Sequence, residues 1–450
     1  MAKASATQIE LTKSRDYSRR AREVVPCATN TLSRGPDNWV QGVSPSFIQR
    51  GQGAHVFDVD GNKYIDYAAG LGPTILGYGH PVVIEAVKRQ LEDGSVFAMC
   101  HPLEVELSEL LCEVIPCGEM VRLGRNGSDV TSAAVRLARA YTGRDMVACC
   151  GYHGFQDWYI GSTERNAGIP QVVRDLTKPF PYNDIAALRR LLAEHEGKVA
   201  CVIMEPVYAI EPLPGFLEAV EQMTHQAGSV LIFDEVFTGF RWALGGAQEY
   251  FGITPDLACF SKAMANGMPI SALVGKREVM RAFDTKQVFY SCTFSGEATG
   301  MAAAMACIHY IRENNVVERI WNTGTQIIDR FRELAKRLGI SYISITGYPP
   351  KSAVLFEATG GFDFLEIKSL FQQECIRRGV LWIGYHLPGL AHTQEIIDET
   401  FEVYEQVFPL VDKAVQNRTV LEQLEGPVIR PIFANVGDRS GGPTLKVTKD

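Results

Sequence analysis

The chain reads as an α/β protein built on a mostly parallel, doubly wound sheet, and three observations lead there. Short apolar runs at 146–150, 199–204, 229–233 and 257–260 show no polar–apolar alternation, which marks strands buried on both faces. Stretches with helical spacing of apolar residues recur between such runs. Finally, 450 residues exceed what one core usually supports, so a smaller second domain is expected beside the sheet domain.

In chain order, the first 25 or so residues form a polar helix or arm. A loop at 26–36 follows and holds Asn30, Thr31 and Arg34. Segments 54–60 and 62–66, split at Asp60 and Gly61, predict a β-hairpin, and the glycines of 68–80 break any helix. Helices are predicted at 81–94, 102–114, 128–141 (closed by Gly143), 184–196 and 214–227, where Gly228 suits a C-cap. A further short strand falls at 271–274. From Glu297 the character changes to long helices at 298–314 and 316–338. Strands at 341–345, 353–357 and 380–383 and a helix at 366–378 then suggest an α+β domain. A last helix starts near 393 and is perturbed at Pro409. The expected organisation is an N-terminal segment 1–67 joining the small domain, a large domain 68–325, the small domain 326–416, and a patternless tail 417–450 with no assigned role.

Composition narrows the function. Hydrophobic content of 46 % with 21 % charged residues is that of a soluble globular protein, and no apolar run reaches the ~18 residues of a membrane span. A net charge of −8 without long single-sign runs argues against nucleic acid or an anionic membrane as partner. The N-terminus lacks an apolar signal region, and the eleven cysteines, several inside apolar runs, fit reduced thiols in the cytoplasm. Neither Cys nor His spacing proposes a metal.

The chemistry centres on SVLIFDEVFTG, residues 229–239, read with Lys262. Asp234 and Glu235 stand at the carboxyl end of one buried strand, where an open α/β sheet meets its ligand crevice, and the next strand delivers Ser261 and Lys262 to the same kind of place. An amine and a carboxylate at neighbouring strand ends suit a pyridoxal phosphate site, although an ion pair would look the same. In MVRLGRNGSD, residues 120–129, Asn126, Gly127 and Ser128 precede a helix whose free N–H groups favour an anion; a simple N-cap is the alternative. Tyr152 and His153 follow one strand and Glu205 another. Tyr152 could stack on a planar cofactor or fill a core, and Glu205 could position a hydroxyl or cap a loop.

In sequence these features run as glycine cup, strand with aromatic, strand with Glu-Pro, strand with Asp-Glu, strand with Lys. That order, with FIQRGQGAHVFDVDGNKYIDY, GPTILGYGHP, GYHG, LIFDEVFTGFR, ALGGAQEYFGITPDL and TFSG, resembles the class III pyridoxal-phosphate-dependent aminotransferases of fold type I, closest to their glutamate-1-semialdehyde 2,1-aminomutase branch. The resemblance runs from about Pro26 to Phe408. It implies pyridoxal 5′-phosphate as cofactor, Lys262 as the Schiff-base lysine and Asp234 as partner of the ring nitrogen. It also implies Val236 packed on the ring opposite Tyr152, and Gly127 and Ser128 as the phosphate cup with Asn126 in a serine position. Thr293 matches a threonine that reaches the phosphate from a neighbouring subunit, so a homodimer with interface sites is implied. Asn30, Thr31 and Arg34 keep the register of the aminomutase loop, and the Arg34 guanidinium suits a carboxylate.

Departures fall on the substrate side. Leu71, the run 265–269, Glu297-Ala298 and the rewritten lid FQDWYIGSTERNAGIP, with Trp158 and Tyr159, replace different residues in the aminomutase. The expected reaction is therefore transfer of an amino group from a small donor to an aldehyde or ketone of a small, anionic acceptor. The alternative is the intramolecular aminomutase reaction.

Overall fold

In the computed structural model, which describes residues 9–207 and 210–430, the apolar runs become strands of one seven-stranded sheet. Across it the order is Met120–Gly124, Ser271–Gly275, Leu257–Phe260, Val230–Asp234, Val199–Met204, Met146–Cys150 and Thr177–Pro179. Adjacent strands are parallel except around Ser271–Gly275, which is antiparallel to both neighbours. The expected α/β class with a mostly parallel sheet is what forms.

Strand periodicity sends alternate side chains to opposite faces. Val147, Cys149, Cys201, Ile203, Val230 and Ile232 share one core with Val130, Ala134 and Leu137 of the Gly127–Thr142 helix. Ala148, Cys150, Val202, Met204, Leu231 and Phe233 share another with Leu188, Leu191, Phe216 and Val220 of helices Ile185–Glu194 and Phe216–Gln226. Burying each large side chain contributes about 2 kcal/mol, so the central strands are held from both sides. Strand ends are thereby fixed, and strand ends carry the site.

Residues 81–317 make up this unit, and 9–80 with 318–430 make up a second. The second unit is α+β. Its four-stranded sheet joins Ile48–Gln52, His55–Asp58, Lys63–Asp66 and Val380–Leu381; its three-stranded sheet joins Ile343–Tyr348, Lys351–Phe356 and Tyr385–His386. Phe331, Phe371, Trp382, Tyr404 and Phe408 lie in its main core. The predicted hairpin is present, and Ile48–Gln52, a mostly polar and exposed segment with no alternation to signal it, adds a strand. The unit extends to His80, past the boundary at 67 read from sequence, because Gly53 and Tyr78 exchange backbone hydrogen bonds of 2.9 and 2.8 Å. The last helix, Gln394–Gln416, continues through Pro409. Of the expected tail, 431–450 lies outside the described residues.

Candidate active site

The register of the large sheet assembles the site. Cys150 pairs with Met204, Met204 with Phe233, Phe233 with Ala258, and Asp234 with Cys259. Tyr152, Glu205, Asp234 and Lys262 therefore leave four neighbouring parallel strands at their carboxyl ends, on one sheet edge.

Asp234 is only 4 % exposed. Its Oδ1 accepts the Val236 N–H at 3.1 Å, and its Oδ2 lies 2.8 Å from His153 Nδ1. His153 is 1 % exposed and locked in place. Its ring stacks on Trp158 at 14° and meets Tyr159 edge-on, and its carbonyl accepts from Thr131 Oγ1 at 2.8 Å. Because the carboxylate accepts, Nδ1 carries the proton, and Nε2 is buried without a hydrogen-bond partner among the described residues. The histidine thus touches the acid beneath the site, a relationship that motif order could not reveal.

Lys262 begins a 3₁₀ turn with φ of 43°, a left-handed conformation that a non-glycine residue adopts under strain. Its Nζ stands 4.8 Å from the centroid of the Phe237 ring. Burial pulls the amine below its ordinary pKa; Glu205 and Asp234 oppose that pull, and Arg241 adds to it. Phe237, three residues past Asp234, was not singled out from sequence because nothing in its spacing separates it from a core aromatic.

Asn126 caps the Gly127–Thr142 helix reciprocally with Asp129: its side chain accepts the Asp129 N–H, and Asp129 Oδ2 accepts the Asn126 N–H at 2.9 Å. This leaves the Gly127 and Ser128 N–H groups open at the helix start. A Cβ on Gly127 would stand 2.9 Å from Val236 Cγ1, and one on Gly154 would collide with Ser128 Oγ. At Gly154 the φ of 104° and the Ser128 contact both demand glycine, whereas at Gly127 an added Cβ would press on the Val236 side chain.

Glu205 Oε1 accepts the Tyr152 N–H at 2.7 Å, and the Tyr152 ring is 45 % exposed. Thr293 is exposed on a loop whose neighbour Glu297 pairs with Arg125 at 2.8 Å, just before the cup. Arg34 lies in the other unit, exposed at the end of the Leu32–Arg34 turn.

Two expectations need correction. Glu235 does not share the crevice with Asp234: it is fully buried and accepts the Ala247 and Gln248 N–H groups at 2.8 Å each, and Thr238 Oγ1. Successive strand residues face opposite ways, so only one of the pair can meet the ligand. Trp158 and Tyr159 do not rebuild a lid either. Both are buried in the sheet core, with Trp158 Nε1 donating to Ser132 Oγ at 3.0 Å and the Tyr159 hydroxyl to Gly151 O at 2.8 Å.

This arrangement is that of a fold type I transaminase. The aminotransferase class-III family profile matches residues 38–348, and the chain belongs to that family of enzymes. The 3-aminobutyryl-CoA aminotransferase of Cloacimonas acidaminovorans (strain Evry) is 34 % identical over 417 residues, covering 91 % of this chain and 99 % of its own. The glutamate-1-semialdehyde 2,1-aminomutase of Desulforudis audaxviator (strain MP104C) is 37 % identical over 396 residues, covering 82 % and 91 %. Among solved structures, the FumI protein of Sphingopyxis sp. MTA144, in its PLP internal aldimine form, is similar with a TM-score of 0.84 at 28 % identity, covering 92 % and 99 %.

Proposed function

We propose that the chain transfers an amino group between two small molecules, using pyridoxal 5′-phosphate, and that the acceptor is an aldehyde or ketone bearing an anion. The observation that carries this is the in-register pair of strand ends holding Asp234 and Lys262 at one sheet edge.

The residues present fit the cofactor. Open N–H groups and a hydroxyl at Gly127 and Ser128 suit its phosphate, with Asn126 shaping the turn. A Cβ at Gly127 would crowd the cradle against Val236, and Val236 and Tyr152 would flank the ring. When bound, pyridoxal phosphate supplies an aldehyde that takes up an amine and a ring that withdraws electrons from the bond being broken. Asp234 would hold the proton of the ring nitrogen, and His153, bonded to its Oδ2, fixes the carboxylate. Lys262, an amine that burial makes easier to deprotonate, would serve as nucleophile and as carrier of a proton to and from the substrate carbon. Glu205 is assigned a place beside the ring, where it also fixes the Tyr152 backbone.

Thr293 would serve the phosphate of a second copy, which makes the working form a homodimer. Thr293 lines one hollow with exposed Phe97 and Met99 and is followed by exposed Phe294, apolar surface that such a partner would cover. Arg34 is assigned the substrate's anionic group. Free cysteines throughout, three of them exposed, support a reducing, cytoplasmic setting.

The name of the Cloacimonas relative favours intermolecular transfer, and that of the Desulforudis relative the aminomutase alternative. Half-reaction spectroscopy separates them. A panel of amino donors should convert the bound cofactor to its amine form, which only an added carbonyl acceptor reverses. Turnover confined to glutamate 1-semialdehyde or (S)-4,5-diaminovalerate, with no second substrate required, would reverse the assignment.

A further inference from the structure

The segment after the last helix packs along the loop that follows Arg34. We propose that residues 419–430 form a strap whose hold on residues 37–42 positions the Arg34 turn and so sets affinity for the anionic group of the substrate. The proposal rests on the reading of Arg34 as the anion-binding residue.

Among the buried polar residues of the Phe364–Arg377 helix are Ser369, Gln372 and Gln373, which must find partners. Gln372 accepts the Val40 N–H at 2.9 Å and donates to Asn38 O at 3.1 Å. Gln373 donates to Gln423 O at 2.8 Å and accepts the Glu425 N–H at 2.9 Å, and Ser369 Oγ accepts the Ile429 N–H at 3.0 Å. One helix face thus fastens two irregular segments side by side, each making backbone bonds that a strand would otherwise supply. The segments also touch directly. Arg430 N–H donates to Asp37 O at 2.7 Å, and Val40, Val43 and Ile429 form one buried cluster. At Gly426 the two backbones are so close that an added Cβ would collide with Gln41 O and stand 2.9 Å from Gln41 N.

From there the link reaches the arginine. Asn38 Nδ2 donates to Leu32 O at 3.2 Å, and the same carbonyl accepts the Gly35 N–H at 2.8 Å, closing the Leu32–Arg34 turn. Nothing in the periodicity of 417–430 announces this, because the contacts run through backbone groups and one glycine.

Gly426→Ala in the full-length enzyme is the test, with Ile429→Ala as a gentler second variant should the first fail to fold. Hydrogen exchange reads the amides of 37–42, and steady-state kinetics compare a carboxylate-bearing donor with an uncharged amine. Arg34→Ala is measured in parallel. The expected result is faster exchange at 37–42, KM for the carboxylate donor raised about fivefold, kcat nearly unchanged and the uncharged amine unaffected, with Arg34→Ala losing the same preference. Unchanged exchange in both strap variants would overturn the proposal. So would faster exchange without a change in KM while Arg34→Ala raises it, and Arg34 would then keep its role. If Arg34→Ala leaves the carboxylate KM untouched, the reading of Arg34 falls, and the strap's role in affinity falls with it.

Discussion

His153 Nδ1 and Asp234 Oδ2 stand 2.8 Å apart, both side chains buried. The histidine fixes the acid from behind, while the Val236 N–H holds the other oxygen. A hydrogen bond to a charged group is worth about 1.5–3 kcal/mol, so His153→Ala should lower kcat by about 10- to 100-fold. Because His153 does not itself hold the phosphate, cofactor affinity should change far less than turnover. Cofactor titration beside initial rates checks both.

Gly127→Ala should act the other way round. Its Cβ would press on Val236 at 2.9 Å, at the start of the helix that forms the cup. Cofactor affinity should fall about tenfold or more, a cost of roughly 1.4 kcal/mol, while the stability of the cofactor-free protein is little changed because alanine is the better helix residue. Fluorescence titration with pyridoxal phosphate and thermal melts of the apo-protein separate the two effects.

Glu235 makes stability depend on pH. Burial raises its pKa from 4.5 to about 7, against the lowering effect of its bonds to Thr238, Ala247 and Gln248. The folded state therefore keeps a proton that the unfolded chain releases. Its stabilising contribution is full below pH 4.5 and is lost as pH rises through about 7, amounting to roughly 3 kcal/mol. Urea unfolding at a series of pH values should show Glu235→Gln with a flatter dependence over that window. Parallel profiles for the two proteins would refute the assignment.

Arg125 and Glu297 join the residue before the cup to the start of the Ala298–Glu313 helix, just past the Thr293 loop. Glu297 is nearly buried and also accepts the Thr299 and Gly300 N–H groups, while Arg125 is a third exposed. Solvent screening at the arginine limits the pair, and a double-mutant cycle of Arg125→Ala with Glu297→Ala should give a coupling of about 1 kcal/mol. Arg125→Ala alone should also speed cofactor dissociation, read by dilution kinetics.

How much of this was legible in the sequence follows from which forces act locally. Strands 146–150, 199–204 and 257–260 were readable residue for residue because burial on both faces leaves unbroken apolar runs. Asp234 and Lys262 were readable because each follows such a run directly. Partnerships were not: His153 reaches Asp234 across 81 residues, and Glu235 reaches the helix at Ala247 through a turn that only tertiary packing defines. Trp158 and Tyr159 were read as lid residues because their segment stands where the aminomutase has its lid, whereas their own side chains turn into the core. The Gln372 and Gln373 contacts were hidden for the same reason, since a polar residue on a helix reads as solvent-facing until its partners are in place.

Borohydride reduction of the purified enzyme loaded with pyridoxal phosphate, followed by peptide mass spectrometry, decides whether Lys262 is the residue joined to the cofactor. One cofactor-sized adduct is expected, on the peptide containing Lys262 and at its Nζ, with no adduct in Lys262→Ala. Reduction that leaves Lys262 unmodified, or an adduct on another lysine in its place, would contradict it.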